Sequence, residues 1–135
     1  MISRACVYQL RRLRYRESMI PAAIKPVIDL DTFFSVDLRV GTIEAVEEIA
    51  GSSKLVRLIV NFGDHKRRIL AGMKKERQDI SAVVGKQSLF IVNIPPRKMA
   101  GEVSEGMIVD IGSADGLVPA LATPEWPMPD GARAG

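Results

Sequence analysis

The sequence predicts an all-β protein, in which five short strands form a small barrel with one short helix between the third and fourth strands and a C-terminal extension. Three observations predict this class. Runs rich in β-branched residues alternate apolar and polar positions, turn-forming residues separate the runs, and helical spacing occurs at one place between them. With 135 residues, the chain has the size of one domain with a single core.

The first two strands are predicted in the runs "FSVDLRVGTIEAVEEI" and "LVRLIVNF". In the first run Val36, Leu38 and Val40 alternate, and the apolar positions switch parity after Gly41. A glycine at a parity switch indicates a bulge or a sharp bend in one long strand. The second run is expected to place four apolar side chains on one face: Val56, Leu58, Val60 and Phe62.

The remaining elements follow in order along the chain. "GDHK" is a turn and "RRILAGM" is the third strand, which together predict a hairpin with the second strand. Ile80, Val83 and Val84 lie at helical spacing before Gly85 and predict a short helix. "SLFIVNI" and "EGMIVDIG" are the fourth and fifth strands, and "GLVPALA" is a candidate for one more. Five strands with a bent first strand are the arrangement of the OB-fold, which commonly binds oligonucleotides or oligosaccharides.

The first 28 residues differ in composition from the rest of the chain. They hold six Lys or Arg against one Glu and include two prolines. We expect a basic, weakly ordered extension over residues 1–28 and a folded domain over residues 29–135. Three alternatives stay open for the extension: a short basic helix, an organelle-targeting peptide, and an upstream reading-frame extension with Met19 as the true start.

Charge is divided unevenly along the chain, whose net charge is +3. Residues 54–98 hold eleven Lys or Arg against three acids, a net charge of +8. The segments on either side, residues 29–53 and 99–135, each hold one Arg against six acids, a net charge of −5. A polarised basic block favours an anionic partner, although balanced solvated charges would produce the same count.

Residues suited to catalysis or metal binding are scarce. A single cysteine, Cys6, provides neither a disulfide framework nor a cysteine metal site, and it fits a reducing compartment, so we expect a cytoplasmic protein. The one histidine, His65, lies in a turn-like context. No nucleophile has a base partner, and no glycine-rich phosphate loop is present. We therefore expect a binding module without a cofactor or a metal, and not an enzyme.

The stretch "NIPPRKMAGEVSEGM" follows the predicted fourth strand. Pro95 and Pro96 restrict the backbone, so the loop loses little entropy when it binds a ligand. Arg97 offers a planar fork for phosphate and Lys98 offers a point charge. Gly101 allows the chain to reverse. A loop that the prolines and charges merely keep soluble is the alternative interpretation.

Five blocks in this order resemble one protein family: "VDLRVGTIEAVEE", "KLVRLIVNFGD", "RRILAGMKK", "VGKQSLFIVNIPPRKMAGEVSEGMIV" and "PEWPMPDGARAG". They resemble the tRNA-binding domain found at the C-terminus of many bacterial methionyl-tRNA synthetases, in free-standing tRNA-binding proteins and in eukaryotic synthetase cofactors. A bacterial secretion-associated chaperone built on the same domain is similar too. The resemblance runs from about Phe33 to Arg133.

The resemblance implies an OB barrel followed by a C-terminal segment that helps to form a homodimer. It also implies tRNA binding by shape, with little sequence preference. The family motifs linked to RNA binding match six positions here: Lys54, Asn93, Arg97, Lys98, Ser104 and Met107. Family members often have an aromatic residue at the position of Val56, so we expect base stacking to contribute little and phosphate contacts to dominate.

Two functions remain open at this point. The first is a tRNA-binding protein that acts alone or assists an aminoacyl-tRNA synthetase in trans, and the basic block favours it. The second is a protein-binding chaperone on the same scaffold. In either case we expect a twofold homodimer, because four apolar side chains of the C-terminal segment are predicted to lack cover in a monomer: Leu117, Val118, Leu121 and Trp126.

Overall fold

A computed structural model describes residues 2–4, 6 and 19–135. In it, one antiparallel sheet forms the barrel. The strands of this sheet are β1 (Leu38–Glu48), β2 (Val56–Asn61), β3 (Lys66–Ala71), β4 (Gln87–Ile91), β7 (Met107–Ile108) and β10 (Arg133–Ala134). Their order is β3-β2-β1-β4-β7, with β10 paired to the start of β1. The sheet nearly closes where the Glu105 amide donates to the Arg68 carbonyl oxygen over 2.9 Å. The predicted all-β, OB-like class is therefore confirmed.

Two small hairpins stand outside the main sheet. Strands β5 (Arg97–Met99) and β6 (Glu102–Ser104) form the first, and β8 (Asp110–Ile111) and β9 (Ala120–Leu121) form the second. The predicted short helix between β3 and β4 is a 3₁₀ turn, Ile80–Val83, begun by the Asp79 side chain, which accepts from the Ser81 amide. A second 3₁₀ turn, Ser113–Asp115, connects β8 to β9.

The start of the first strand was predicted too early. Residues Leu30–Phe34 form a short helix, α1, and β1 begins only at Leu38. The physical reason is the N-cap: the Asp29 carboxylate accepts from the Thr32 amide over 2.7 Å and fixes the first turn. Val36 consequently lies on the surface and is not part of the core face.

The bulge in β1 lies at Glu44 and not at Gly41. Pairing with β2 shifts between Ile43 and Ala45, so Glu44 is the extra residue. Gly41 is required for a different reason, since a Cβ there would stand 2.5 Å from Val60 Cγ1. The irregularity was correctly predicted to lie in β1. Gly41, however, is needed because Val60 packs closely against it, and the bulge lies at another residue.

The core lies inside the barrel. The four apolar positions predicted for one face of β2 are confirmed, because Val56, Leu58 and Val60 have no exposed surface and Phe62 has 3%. They pack with Ile43, Ile69, Val83 and Phe90. Leu121 packs against the edge of the same core, and Leu117 and Val118 are half-buried. Of the four C-terminal residues predicted to lack cover, only Trp126 is largely exposed, at 62%.

Half of the predicted basic extension, residues 1, 5 and 7–18, lies outside the described residues. From Met19 to Asp29 no regular secondary structure occurs, and the side chains are exposed. Within the ranges that the structure describes, no helix is both long enough and apolar enough to cross a membrane.

Candidate functional site

The β5–β6 hairpin presents the basic pair predicted from the sequence. Arg97 and Lys98 are both exposed, and they pair in register with Ser104 and Val103. The two-residue turn between the strands, Ala100-Gly101, has positive φ at both positions, 50° and 77°. This is the geometry of a type I′ hairpin turn, whose twist matches that of the strands. The predicted chain reversal at Gly101 therefore occurs within a regular hairpin, and the two cations project from its first strand.

A buried hydroxyl anchors the second strand of this hairpin. Ser104 has no exposed surface, and its Oγ accepts from the Leu70 amide over 3.0 Å while donating to the Gly106 carbonyl over 2.9 Å. Gly106 itself leaves no room for a side chain, since a Cβ would stand 2.9 Å from the Ile91 carbonyl oxygen. Ser104 thus shapes the loop from within the structure, while its hydroxyl is not available at the surface.

An ion pair fixes the same hairpin to the barrel wall. The Arg57 guanidinium on β2 donates through Nε to the Glu102 carboxylate over 2.9 Å, and Nη2 contacts the second carboxylate oxygen. Glu47 on β1 lies 3.5 Å from Nη1 of the same guanidinium. Because the three charged groups satisfy one another, the Arg57 cation serves as an anchor for β6.

Asn93 connects the start of the loop to the segment before β1. Its Oδ1 accepts from the Asp37 amide over 2.8 Å, and its Nδ2 donates to the Ser35 carbonyl over 2.7 Å. Both polar ends of the side chain are therefore engaged within the protein. Met107, half-buried, pairs with Ile91 at the end of β4. These two predicted site residues lie at the base of the hairpin.

Lys54 lies in the loop between β1 and β2, away from the hairpin in sequence. Its side chain is exposed, and its carbonyl oxygen accepts from the Lys74 amide over 3.1 Å. The Lys74 ammonium lies 3.4 Å from the Ser52 carbonyl oxygen and 3.6 Å from Glu48. The two lysines therefore mark one cationic loop region, in which Lys54 is the more exposed.

The basic block separates into three groups. Arg57, Lys66 and Lys74 form ion pairs with glutamates. Arg67 and Arg77 are half-buried and donate to backbone carbonyl oxygens. Six cations are exposed and have no ion pair within the described ranges: Lys54, Arg68, Lys75, Lys86, Arg97 and Lys98. The surface charge available to an anion is therefore about half of what the sequence count suggests.

Arg68 is a further candidate contact for an anion, outside the six positions predicted from the sequence. Its side chain is exposed on β3, next to the point where Glu105 joins that strand. The adjacent residue, Arg67, turns the other way, and its Nη1 donates to the carbonyl oxygens of Val92 and Glu105. Strand alternation in "KRRIL" was the signal that could have separated the two arginines.

A second charged cluster joins the two ends of the domain. The Asp37 carboxylate accepts from Arg39 Nε over 2.7 Å and from Arg133 Nε over 3.3 Å. The hydrogen bond from Arg39 lowers the pKa of Asp37 below its usual range, burial opposes the shift in part, and Arg133 adds to it. Arg39 also donates to the Gly131 carbonyl, so this cluster holds the C-terminal strand on β1.

A shallow cavity of about 370 Å³ lies between β1, the start of β4 and the C-terminal segment. Its wall includes Trp126 and Glu125 together with Thr42 and Gln87. The polar atoms of Gln87 are already bonded to the Met128 backbone, so they hold the C-terminal segment in place. Within the described ranges, no group of His, Cys, Asp and Glu side chains is arranged to hold a metal ion.

The chain matches the family model described as "Putative tRNA binding domain" over residues 38–133. Its structure is similar to that of a MetRS related protein from Pyrococcus horikoshii, with 30% identity and a TM-score of 0.75, covering 82% of this chain and 100% of that one. It is also similar to the chaperone CsaA from Bacillus anthracis str. Ames, with 26% identity, a TM-score of 0.69 and the same coverages. A CsaA chaperone protein from Picrophilus torridus has the same identity and TM-score, over 81% and 100%.

Proposed function

Because the chain belongs to the tRNA-binding domain family, a family of non-catalytic binding domains, we propose that it recognises the shape of tRNA mainly through phosphate contacts. The β5–β6 hairpin is the observation that carries the proposal. It presents Arg97 and Lys98 on a regular turn whose base is fixed by hydrogen bonds and by the Arg57–Glu102 ion pair. A rigid cationic hairpin loses little entropy on binding an anionic backbone.

The positions of the aromatic side chains favour phosphate contacts over base stacking. Phe62 and Phe90 are in the core, and Phe33, Phe34 and Trp126 lie outside the hairpin. Val56, at the position where family members often have an aromatic residue, is fully buried. The exposed side chains of β5 are cationic, so affinity follows from charge and geometry more than from reading bases.

The experiment is a binding titration of the full chain with labelled total tRNA at two salt concentrations. Two unrelated purified tRNAs and a DNA duplex of similar length serve as comparisons. Shape recognition through phosphates predicts similar affinities for the two tRNAs, weaker binding to the duplex, and a steep loss with salt. An affinity that does not change with salt, or equal binding of tRNA and duplex, would contradict the proposal.

Assistance to an aminoacyl-tRNA synthetase in trans is the finer proposal, and the similarity to a MetRS related protein supports it. The competing function is that of a protein-binding chaperone, supported by the similarity to two CsaA proteins and by the exposed Trp126. Material that copurifies with the chain separates the two. Bound RNA favours the first function, and bound polypeptide with no affinity for tRNA favours the second.

The proposed assembly is a twofold homodimer. Trp126 is 62% exposed at the C-terminal segment, and Leu30 and Phe34 of α1 are 71% and 62% exposed. Phe33 of α1 borders Gly135 at the C-terminal end, whereas Trp126 lies beside Thr42 and Gln87, further along β1. A homodimer interface that covers these apolar side chains would remove them from water. Light scattering at micromolar concentration is expected to give the mass of a dimer, and a monomeric mass would contradict it.

A further inference from the structure

We propose that Arg67 is a positioning residue for the RNA-binding hairpin, an inference that rests on the proposed function. Its Nη1 donates to the Val92 carbonyl oxygen over 2.7 Å and to the Glu105 carbonyl oxygen over 3.0 Å. Val92 directly precedes the loop that leads into β5, and Glu105 directly follows β6. One nitrogen atom therefore joins the two ends of the segment that presents Arg97 and Lys98.

The surroundings of Arg67 hold its guanidinium in this direction. Nε donates to Nε2 of His65 over 3.1 Å, and the guanidinium carbon lies 5.9 Å from the centre of the Phe62 ring. His65 stacks on the same ring, and its Nδ1 lies 2.5 Å from an oxygen of Asp64. Because Arg67 is half-buried between His65 and the Phe62 ring, its guanidinium is directed at backbone carbonyl oxygens of the protein and not at the solvent.

The neighbouring residue provides the contrast that makes the assignment specific. Arg68 has the same charge and is adjacent in sequence, but its side chain is exposed and forms no ion pair with the described residues. If Arg67 acted simply as another surface cation, the two arginines would be interchangeable. The contacts instead predict that loss of Arg67 loosens the hairpin and that loss of Arg68 does not.

The first test needs no RNA. Amide hydrogen exchange of β5 and β6 is measured in the wild-type protein, in Arg67→Met and in the matched variant Arg68→Met. We expect faster exchange in Arg67→Met, unchanged exchange in Arg68→Met, and partial recovery in Arg67→Lys, whose ammonium can donate to the same carbonyl oxygens. Unchanged hairpin exchange in Arg67→Met would overturn the proposal, whether or not the protein binds tRNA.

The second test is a double-mutant cycle with tRNA. Arg67→Met removes the charge-assisted hydrogen bonds to the Val92 and Glu105 carbonyl oxygens, which hold the hairpin in place. In the wild-type background it is therefore expected to weaken tRNA binding roughly tenfold. In the background Arg97→Ala/Lys98→Ala it should have almost no further effect. Equal weakening in both backgrounds would show an independent phosphate contact and would overturn the positioning role. If Arg67→Met does not fold, Arg67→Lys replaces it, with a smaller loss and the same dependence on background.

If the wild-type protein does not bind tRNA, the proposed function fails and the cycle has no signal. The exchange measurement then still decides whether Arg67 orders the hairpin. The two failures are therefore distinguishable.

Discussion

The guanidinium of Arg57 and the carboxylate of Glu102, 45 residues apart in sequence, form a two-point ion pair between β2 and β6. Both side chains are mostly covered, with 21% and 29% of their surface exposed. The pair removes one cation of the basic block from the surface and at the same time holds the hairpin that carries Arg97 and Lys98. The basic block of residues 54–98 therefore has two roles in the proposed function: Arg97 and Lys98 face an anionic partner, and Arg57 supports the hairpin that carries them.

The first prediction concerns the salt dependence of tRNA binding. Replacing Arg97 and Lys98 together by alanine should flatten the slope of log K against log salt by roughly two, because each lost phosphate contact changes it by about 0.9 in double-helical DNA. Unrelated tRNAs should be weakened by similar factors. The measurement is a salt titration of the wild-type protein and the double variant with two tRNAs.

The matched control for that experiment is Lys86→Ala. Lys86 is exposed and directly precedes β4, at the end of this strand opposite to Asn93. Its removal costs one positive charge but should leave the slope nearly unchanged. A double variant with the slope and affinity of the wild type would show that Arg97 and Lys98 do not contact phosphate. An effect on only one tRNA would contradict shape recognition through this hairpin.

The second prediction compares two buried serines. Ser104→Ala leaves the Leu70 amide without its acceptor and should lower the free energy of unfolding by about 1–3 kcal/mol. Ser88 is equally buried, but its hydroxyl has no hydrogen-bond partner within the described part of the chain. Ser88→Ala should therefore be neutral or stabilising. Urea unfolding of the two variants checks the contrast, and an equal loss of stability in both variants would contradict it.

The barrel could be predicted from the sequence because alternation in β2 and helical spacing at Ile80 and Val83 are local patterns. The helix α1 was missed although Asp29 provides a capping signal, since the alternation from Val36 onward suggested a longer strand. The bulge was assigned to Gly41 because glycines are frequent at bulges. Its position at Glu44 depends on register with β2, which no local pattern specifies.

The candidate site could be predicted only in part. Arg97 and Lys98 are exposed as expected, because a loop between prolines and a turn glycine has little room to bury two cations. Burial of Ser104 depends on the approach of β6 to β3, and the engagement of Asn93 depends on Ser35 and Asp37, 58 and 56 residues away. Contacts over such separations follow from the closed barrel and not from the motif.

The third prediction concerns acid stability through Asp37. Its pKa is lowered in the folded protein, first by the hydrogen bond from Arg39. A lowered pKa contributes stability that is present above the ordinary pKa of an aspartate, about 3.9, and is lost as the pH falls through the folded value. Asp37→Asn should therefore destabilise the protein by about 1 kcal/mol at neutral pH and by less in acid. Thermal unfolding of both proteins across this range tests it, and a difference that stays constant in acid would contradict it.

The last prediction concerns the turn that orients the basic pair. Ala100 adopts a φ of 50°, in the left-handed region that costs an alanine roughly 1 kcal/mol, while Gly101 accepts its φ of 77° without strain. Type I′ turns prefer Asn-Gly, so Ala100→Asn should stabilise the hairpin by a few tenths to about 1 kcal/mol. The substitution adds no charge, yet it should strengthen tRNA binding severalfold because the Arg97–Lys98 strand is better ordered before binding.

The slope of log K against log salt should stay the same in Ala100→Asn, since the number of phosphate contacts does not change. A steeper slope would mean that the variant creates new phosphate contacts, and a more stable hairpin without a gain in affinity would show that its rigidity does not limit binding.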